Sequence, residues 1–294
     1  MKRQVQWERM FPDELDAALT ELPVVYLPYG LCEPHGPQNA LGMDGLRPHA
    51  ACCRAAIEHG GIVAPPSYWH IHDYGIYSAW AHPIVGKQRP WLTPLPPWMF
   101  FKNLLYHVRA MDVLGFHAAV LYTGHSGPHA HDMQPVIDII QPHVSVRLGF
   151  YHDMHLIPEK YLNLNFSHAG SFETAYLWAA APDCVDLSRL PEPESPGPHF
   201  AMSPDAGEAN RCLGEKMLAG IASDLAVKAQ ALLAEYDRLQ PACSQLTYAD
   251  VENIWDREIK PIVPDFACMR ELEPGQSAPP EDSRWYTNWH IPKI

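Results

Sequence analysis

The sequence predicts an α/β fold in which a central, mostly parallel sheet is flanked by helices on both faces. Apolar runs typical of buried strands alternate with helical patterns along the chain. Two of these runs, residues 23–28 and 118–122, lead into short loops that contain glycine and polar side chains. Residues 1–240 contain no internal repeat and no linker. We therefore predict one domain over 1–240 and a Trp- and Pro-rich extension over 241–294 that packs on this domain or on a neighbouring subunit.

The individual elements follow from apolar periodicity and from the positions of glycine and proline. We expect helices at 11–19, 46–59, 100–114, 133–140, 173–181 and 208–239, and strands at 23–28, 62–66, 118–122 and 144–150. Asp13 is the expected N-cap of the first helix. Residues 67–97 are rich in Trp, His and Pro without a regular pattern, and we expect a pocket wall or an oligomer contact there.

The composition excludes several classes of partner. With 21 basic and 34 acidic residues, the 294-residue chain has a formal net charge of −13, which disfavours nucleic acid and anionic membranes. We find neither a secretory signal nor an apolar run of the roughly 20 residues that a membrane span requires. Seven scattered cysteines without CxxC spacing indicate a reducing, cytoplasmic setting. The expected partner is a small-molecule substrate.

Three groups of polar residues carry the predicted chemistry. The first lies on the loop after the first strand, the second directly follows the strand at 118–122, and the third spans a loop-to-helix junction. Together they supply Glu33, His35, Asp44, His125, His168 and Glu173. Carboxylates and imidazoles in this mixture suit divalent Zn, Mn or Fe, and we expect Zn²⁺ first.

The number of ligands is sufficient for two metal ions. Glu33, His35, Asp44, His125 and Glu173 would hold the pair if Asp44 bridges the two ions. A paired site lowers the pKa of its water toward roughly 7, which provides hydroxide at neutral pH. His168 would then deliver a proton to the departing nitrogen.

These motifs resemble the creatininase (creatinine amidohydrolase) family. The resemblance is carried, in order, by LPYGLCEPHGP at 27–37, LGMD at 41–44, GHSG at 124–127 and HAGSFET at 168–174. It spans residues 5–235 and implies a compact α/β fold, a metal pair, hydrolysis of a cyclic or linear amide, and a homo-oligomer, often a hexamer.

The resemblance also implies a role for each matching residue. Glu33 and His125 would bind one ion, His35 the other, and Asp44 both. Glu173 would be a ligand of the second ion or a carboxylate beside the substrate, and His168 the acid/base or substrate-contacting group.

The chain departs from the family pattern at the glycine loop. In creatininases, a glutamate lies two residues after the histidine of this loop. The histidine here is His125, and the position of the glutamate is Gly127. The asparagine found one residue later in other relatives is Pro128. His129 or His131 could supply the missing ligand, although a helix start facing solvent or a neighbouring subunit is the simpler interpretation. The resemblance therefore predicts the reaction class, hydrolysis of a non-peptide C–N bond, rather than the substrate.

The substrate contacts are predicted around these motifs and in the aromatic segment. Aromatic rings there would stack on a flat substrate. The candidates are His72, Asp73, Tyr77, Ser78, Trp80, Ser126 and Phe172. Two other functions remain open: a non-catalytic binding or assembly protein with the same fold, and a mononuclear metal hydrolase that acts on an ester or lactone.

Overall fold

The centre of the molecule is a four-stranded parallel sheet. A computed structural model describes residues 3–86, 89–156, 168–192, 195, 199–243, 245–286, 289–291 and 294. The strands are β1 (Val24–Tyr29), β2 (Ile62–Val63), β3 (His70–Ile71), β4 (Pro94–Leu95), β5 (Ala118–Thr123) and β6 (Arg147–His152). The main sheet has the spatial order β2-β1-β5-β6, and β3 pairs with β4 in a separate parallel pair.

Helices cover both faces of the main sheet. They are α1 (Pro12–Glu21), α2 (Met43–His59), α3 (Ile76–Val85), α4 (Pro97–Leu114), α5 (His129–Ile140), α6 (Asp153–Leu156), α7 (Ser171–Ala180), α8 (Arg211–Leu239) and α9 (Tyr248–Ile254). Side chains alternate along β1, so that Val25 and Leu27 pack with α4 and α5 while Val24 and Tyr26 pack with α2 and α8. The predicted fold class is therefore confirmed.

Helix α8 is the longest helix of the described chain. It begins after Asn210, whose side chain caps it by accepting the N–H of Leu213 at 3.2 Å. By length and composition alone α8 could cross a membrane, contrary to our expectation that no such run exists. Half of its most apolar window is buried, and it packs against α2 and α7. We interpret it as a core helix.

The observed starts of α1 and β6 differ from the predicted ones, and hydrogen bonds to side-chain carboxylates explain both differences. Asp13 is not the N-cap of α1, which begins at Pro12, and the N–H of Phe11 is accepted by the Glu14 carboxylate at 2.9 Å. Strand β6 begins three residues later than predicted, because the Asp112 carboxylate takes the N–H groups of residues 145 and 146 at 2.7 and 2.9 Å. Those groups are then unavailable to the sheet.

Several other boundaries also differ from the prediction, and α8 begins at Arg211 instead of residue 208. Strand β2 has two residues instead of five, and the prolines at 65 and 66 that follow it have no N–H to continue a ladder. Helix α4 begins at Pro97, since proline is well accommodated in the first helical turn. Helices α2, α5 and α7 begin two to four residues earlier than predicted, and the unassigned segment 67–97 contains β3, α3 and β4.

The C-terminal extension packs back on its own chain. Trp285 is fully buried in a small cluster with Ala81 and Val85 of α3. The Asp132 carboxylate on α5 accepts the N–H groups of Ala267 and Cys268 at 2.8 and 2.9 Å. All seven cysteines are free thiols.

The contact between α7 and α8 provides a test of the packing. A Cβ atom at Gly214 would lie 1.8 Å from the carbonyl oxygen of Ala175. Alanine normally stabilises a helix interior relative to glycine by about 1 kcal/mol. Here we expect Gly214→Ala to lower the free energy of unfolding by about 2 kcal/mol, because the two backbones must separate. Urea denaturation would measure this loss.

The matched control for this variant is Ser223→Ala, which lies on the exposed side of the same helix. It should change the free energy of unfolding by less than about 0.5 kcal/mol. A Gly214→Ala protein as stable as wild type would contradict the close approach of α7 and α8.

Candidate metal centre

The centre lies where the carboxyl ends of β1 and β5 meet the first turn of α2. Glu33 and His35 follow β1, His125 follows β5, and Asp44 is the second residue of α2. Two glycines make this convergence possible. A Cβ atom at Gly30 or Gly124 would lie 2.2 or 2.4 Å from the carbonyl oxygen of Asp44. The sequence thus brings the Asp44 carboxylate between the two strand-end loops.

Asp44 lies between two imidazoles. Its Oδ1 is 3.1 Å from His35 Nε2, and its Oδ2 is 3.2 Å from His125 Nδ1. Glu33 spans the same two rings, with Oε1 3.4 Å from His35 Nε2 and Oε2 3.8 Å from His125 Nδ1. All four side chains are almost completely buried.

The third sequence group completes the cluster. Glu173 Oε2 lies 3.9 Å from His35 Nε2 and accepts the N–H of Ala169 at 2.7 Å. His168 Nδ1 lies 3.5 Å from Glu33 Oε1, and its ring stacks on His35 with centroids 4.3 Å apart. All six residues predicted as metal ligands or catalytic groups therefore lie in one cluster.

Two of the histidines direct a free lone pair at the carboxylates. His35 Nδ1 donates to the carbonyl of Glu33 at 3.1 Å, so Nε2 of the neutral ring is unprotonated. His168 Nε2 donates in the same way to the carbonyl of Pro34 at 2.8 Å, which leaves Nδ1 free. A lone pair opposite a carboxylate is repulsive unless a cation or a proton lies between them.

The buried acids are ionised despite their surroundings. Burial opposes ionisation, but His125 and His168 lower the pKa of Glu33 to about 2. The pKa of Asp44 is likewise well below its usual value, because His35 and His125 outweigh the effect of burial. Burial also disfavours the charged form of His35, yet Asp44 and Glu33 raise its pKa to about 9. Without a metal, a proton on His35 therefore lies between the ring and these carboxylates, at the position that a divalent ion would take.

The donor atoms fit two divalent ions. The ligand atoms of His35, Asp44 and Glu173 lie within 4.8 Å of one another, as do those of Glu33, His72 and His125. Glu33 Oε2 is buried and has no well-directed hydrogen bond within the described chain, although His72 Nε2 lies 2.9 Å away. Mixed carboxylate and imidazole donors at these separations suit Zn²⁺, Mn²⁺ or Fe²⁺.

His72 orients Glu33. The N–H of Asp73 donates to His72 Nδ1 at 2.7 Å, so the proton of the neutral ring is on Nε2, which faces Glu33. Burial lowers the pKa of His72 and keeps the ring neutral. Asp44 Oδ2 is therefore a more suitable third ligand than His72 for an ion held by Glu33 and His125.

A second group of buried histidines is used for hydrogen bonding. His70, His125 and His129 are spaced closely enough for a metal. However, His129 Nε2 donates to the carbonyl of His125 at 3.2 Å, and its Nδ1 accepts the Tyr77 hydroxyl at 2.6 Å. His70 Nδ1 accepts a backbone N–H at 2.8 Å. His129 thus supports the loop of His125 rather than replacing the missing ligand, and His131 is exposed.

A buried arginine that was not predicted from the sequence lies behind the cluster. Arg47 Nη2 donates to Asp44 Oδ1 at 2.9 Å and to Glu173 Oε1 at 3.0 Å, while Nη1 donates to Asp153 Oδ2 at 2.9 Å. Burial raises the pKa of Asp153 to about 6 even beside this guanidinium. The Asp-x-x-Arg spacing on α2 and the position of Asp153 directly after β6 are the signals that would have identified the pair.

A cavity of about 330 Å³ opens in front of the cluster, a volume suited to a small molecule. Glu33, His125, His168 and Glu173 reach its wall. Of the predicted substrate contacts, four line it: His72, Tyr77, Trp80 and Ser126. Asp73, Ser78 and Phe172 are buried and do not line this cavity. Glu273 and Gln276 of the C-terminal extension do line it, and the sequence analysis did not identify them.

Gly127 has no room for a side chain. Its φ of 152° is unfavourable for other residues, and a Cβ atom there would lie 2.6 Å from the Tyr77 hydroxyl oxygen. The phenol of Tyr77 therefore occupies the space beside the loop into which a longer residue at position 127 would extend.

Comparisons with known proteins point to one family. The creatininase family, described as creatinine amidohydrolase, matches residues 8–228 of the chain. The creatinine amidohydrolase of Pseudomonas putida is 29% identical over 185 residues, which cover 57% of this chain and 68% of that protein.

Solved structures show the same fold. A creatininase described as the Mn form covers 79% of this chain and 99% of its own, with a TM-score of 0.59 and 23% identity. A creatininase mutant complexed with creatine matches over 78% of this chain and 99% of the mutant's chain, with a TM-score of 0.62 and 22% identity. A creatininase mutant described as the Zn-Zn type matches over 79% of this chain and 98% of the mutant's chain, with a TM-score of 0.60 and 24% identity.

The contact between Gly127 and Tyr77 can be tested by a double-mutant cycle. Gly127→Ala should lower the free energy of unfolding by about 2 kcal/mol, because of the clash and the unfavourable φ. Removing the hydroxyl with Tyr77→Phe should recover part of that loss, with a coupling of about 1 kcal/mol. Additive effects in urea denaturation would contradict the proximity of the two residues.

The role of Arg47 can be tested with and without metal. Arg47→Met leaves buried Asp44 and two largely buried carboxylates without their cation, and we expect a loss of about 3–5 kcal/mol of stability in EDTA. The loss should be smaller in saturating Mn²⁺ or Zn²⁺, because a divalent ion offsets the same charge. Arg47→Lys, which keeps the charge, should lose less in EDTA. Equal losses for Arg47→Met in both buffers would show that Arg47 does not balance the charge of the metal ligands.

Proposed function

The chain belongs to the creatininase family, and we propose that it hydrolyses a non-peptide C–N bond in a small cyclic or linear amide. Membership implies a metal-dependent amidohydrolase. The observation that carries the proposal is a set of carboxylates and imidazole nitrogens that face one another within ligand distance at the wall of a cavity. That cavity also favours a hydrolase over a non-catalytic assembly protein.

The proposed metal ligands fall into two sets that share Asp44. Glu33, Asp44 and His125 would hold one ion, and His35, Asp44 and Glu173 the other. When bound, such ions polarise a carbonyl and lower the pKa of a water toward roughly 7. Zn²⁺ is our first choice, and the Mn and Zn-Zn forms among the similar structures support either metal.

His168 is the proposed proton donor to the departing nitrogen. Its Nε2 is held by the carbonyl of Pro34, and its faces contact His35 by stacking and Trp80 edge-on, so the ring has a fixed orientation. Nδ1 is then the ring atom available for proton transfer, and the residue lines the cavity. Glu33 Oε1, 3.5 Å from Nδ1, stabilises the protonated ring between steps.

A one-ion hydrolase is the second candidate. Arg47 Nη2 hydrogen-bonds to Asp44 and Glu173, two of the three ligands proposed for the second ion, and therefore competes for their charge. Such an enzyme would suit an ester or lactone as well as an amide. Hydrolysis of matched amide and ester pairs would distinguish the two candidates.

We further propose that the protein is a homo-oligomer, by family resemblance a hexamer, in a reducing cytoplasmic setting. The free cysteines and exposed apolar side chains such as Trp69 and Met99 support this. Light scattering of the purified protein would give the number of subunits.

Metal content provides the direct test of the proposed function. Asp44→Ala should remove almost all bound metal, because both sets lose a ligand, whereas His125→Ala should remove one of two ions. Hydrolysis of an amide panel that includes creatinine should fall by more than about 100-fold in both variants. Elemental analysis after dialysis and release of amine or ammonia are the measurements.

The control is Asp138→Ala, an exposed acid on α5. It should keep wild-type metal content and activity. Asp44→Ala protein that retains its metal would refute the proposed site, and metal-loaded wild type without activity on any amide would refute the reaction.

A further inference from the structure

One wall of the cavity comes from a tight turn in the C-terminal extension. Residues 273–276 read Glu-Pro-Gly-Gln, with proline second and glycine third, the sequence typical of a type II turn. The N–H of Gln276 donates to the carbonyl of Glu273 at 3.0 Å, and Gly275 has the required positive φ of 87°. The turn therefore has a defined shape.

This turn is attached to a helix that also lines the cavity. Gln276 Nε2 donates to the carbonyl of Ile76 at 3.2 Å, and the N–H of Ile76 donates to the carbonyl of Arg270 at 3.2 Å. Ile76 begins α3, which also carries Tyr77 and Trp80. The turn and the aromatic wall are thus held together, and the turn lies beyond residue 228, where the family match ends.

Glu273 is the one lining carboxylate that the proposed metal centre does not use. The other two, Glu33 and Glu173, belong to the ligand cluster, and the described lining contains neither Lys nor Arg. Arg270 Nη1 lies 3.8 Å from Glu273 Oε1, but its side chain is 60% exposed. Such an exposed pair is weak and leaves the carboxylate free to bind a ligand.

We propose that Glu273 determines specificity by binding a cationic substituent, an ammonium or amidinium group, on the amide substrate. The inference rests on the proposed function, since the metal centre and Glu273 line the same cavity. Glu273 and the indole of Trp80 line the same cavity, so a cation bound there can form an ion pair with the carboxylate and a cation–π contact with the ring.

Three amides of similar size test the proposal. The probes are 4-aminobutanamide with an ammonium group, pentanamide with a methyl group, and succinamate with a carboxylate. Ligand-detected NMR on the metal-loaded protein should give a dissociation constant about tenfold lower for 4-aminobutanamide than for pentanamide. Glu273→Gln should abolish this preference, while Glu271→Gln should keep it. Glu271 is an exposed carboxylate 3.2 Å from His290 and outside the cavity lining.

Reversing the charge at position 273 gives an independent test of the proposal. Glu273→Lys should favour succinamate over 4-aminobutanamide, with unchanged metal content and thermal stability. Equal binding of the three probes to wild type, binding of none, or a preference that persists in Glu273→Gln would overturn the proposal. Failure of the proposed function is seen separately, as missing metal or missing hydrolysis, because this experiment measures binding alone.

Discussion

The structure of the site depends on compensating the charge of four acids, two buried and two largely buried, at one edge of the sheet. Glu33, Asp44, Glu173 and Asp153 converge there, and each buried charge costs several kcal/mol unless it is paired. Arg47 supplies one permanent cation and contacts three of the four. The first turn of α2 adds a favourable dipole at Asp44. One guanidinium does not neutralise four carboxylates. Protonated His35 adds to the compensation without a metal, and divalent ions held by the same atoms would replace its proton.

Much of this arrangement could be predicted from the sequence because its causes are local. The strands are apolar runs, and the carboxyl ends of adjacent parallel strands must meet at one edge of the sheet. Glu33 and His125 follow such strands directly, so their proximity follows from topology alone. Asp44 could be proposed as a ligand because it lies on the same glycine- and proline-rich segment as Glu33 and His35. Metal binding by these residues stays a prediction, but their convergence does not depend on it.

The parts that were missed depend on contacts between distant segments. Arg47 and Asp153 are 106 residues apart, and Gln276 contacts Ile76 across 200 residues. No period or motif encodes such a pairing. The start of β6 was wrong for the same reason, because Asp112 withdraws two N–H groups from a sequence with strong strand propensity. The segment 67–97 was unassigned because its short strands pair with each other rather than with the main sheet.

In the proposed function, catalysis and substrate recognition depend on different parts of the chain. The proposed ligands lie within residues 8–228, where the family match falls, and the buried charges make each of them difficult to replace. The opposite wall comes from Tyr77, which occupies the space beside Gly127, and from the turn at 273–276. Glu273 is partly exposed and its described ion pair is with Arg270, outside the buried cluster. Under the proposed function, a substitution in that turn would therefore change which substituent the cavity accepts without disturbing the charge balance of the proposed metal centre.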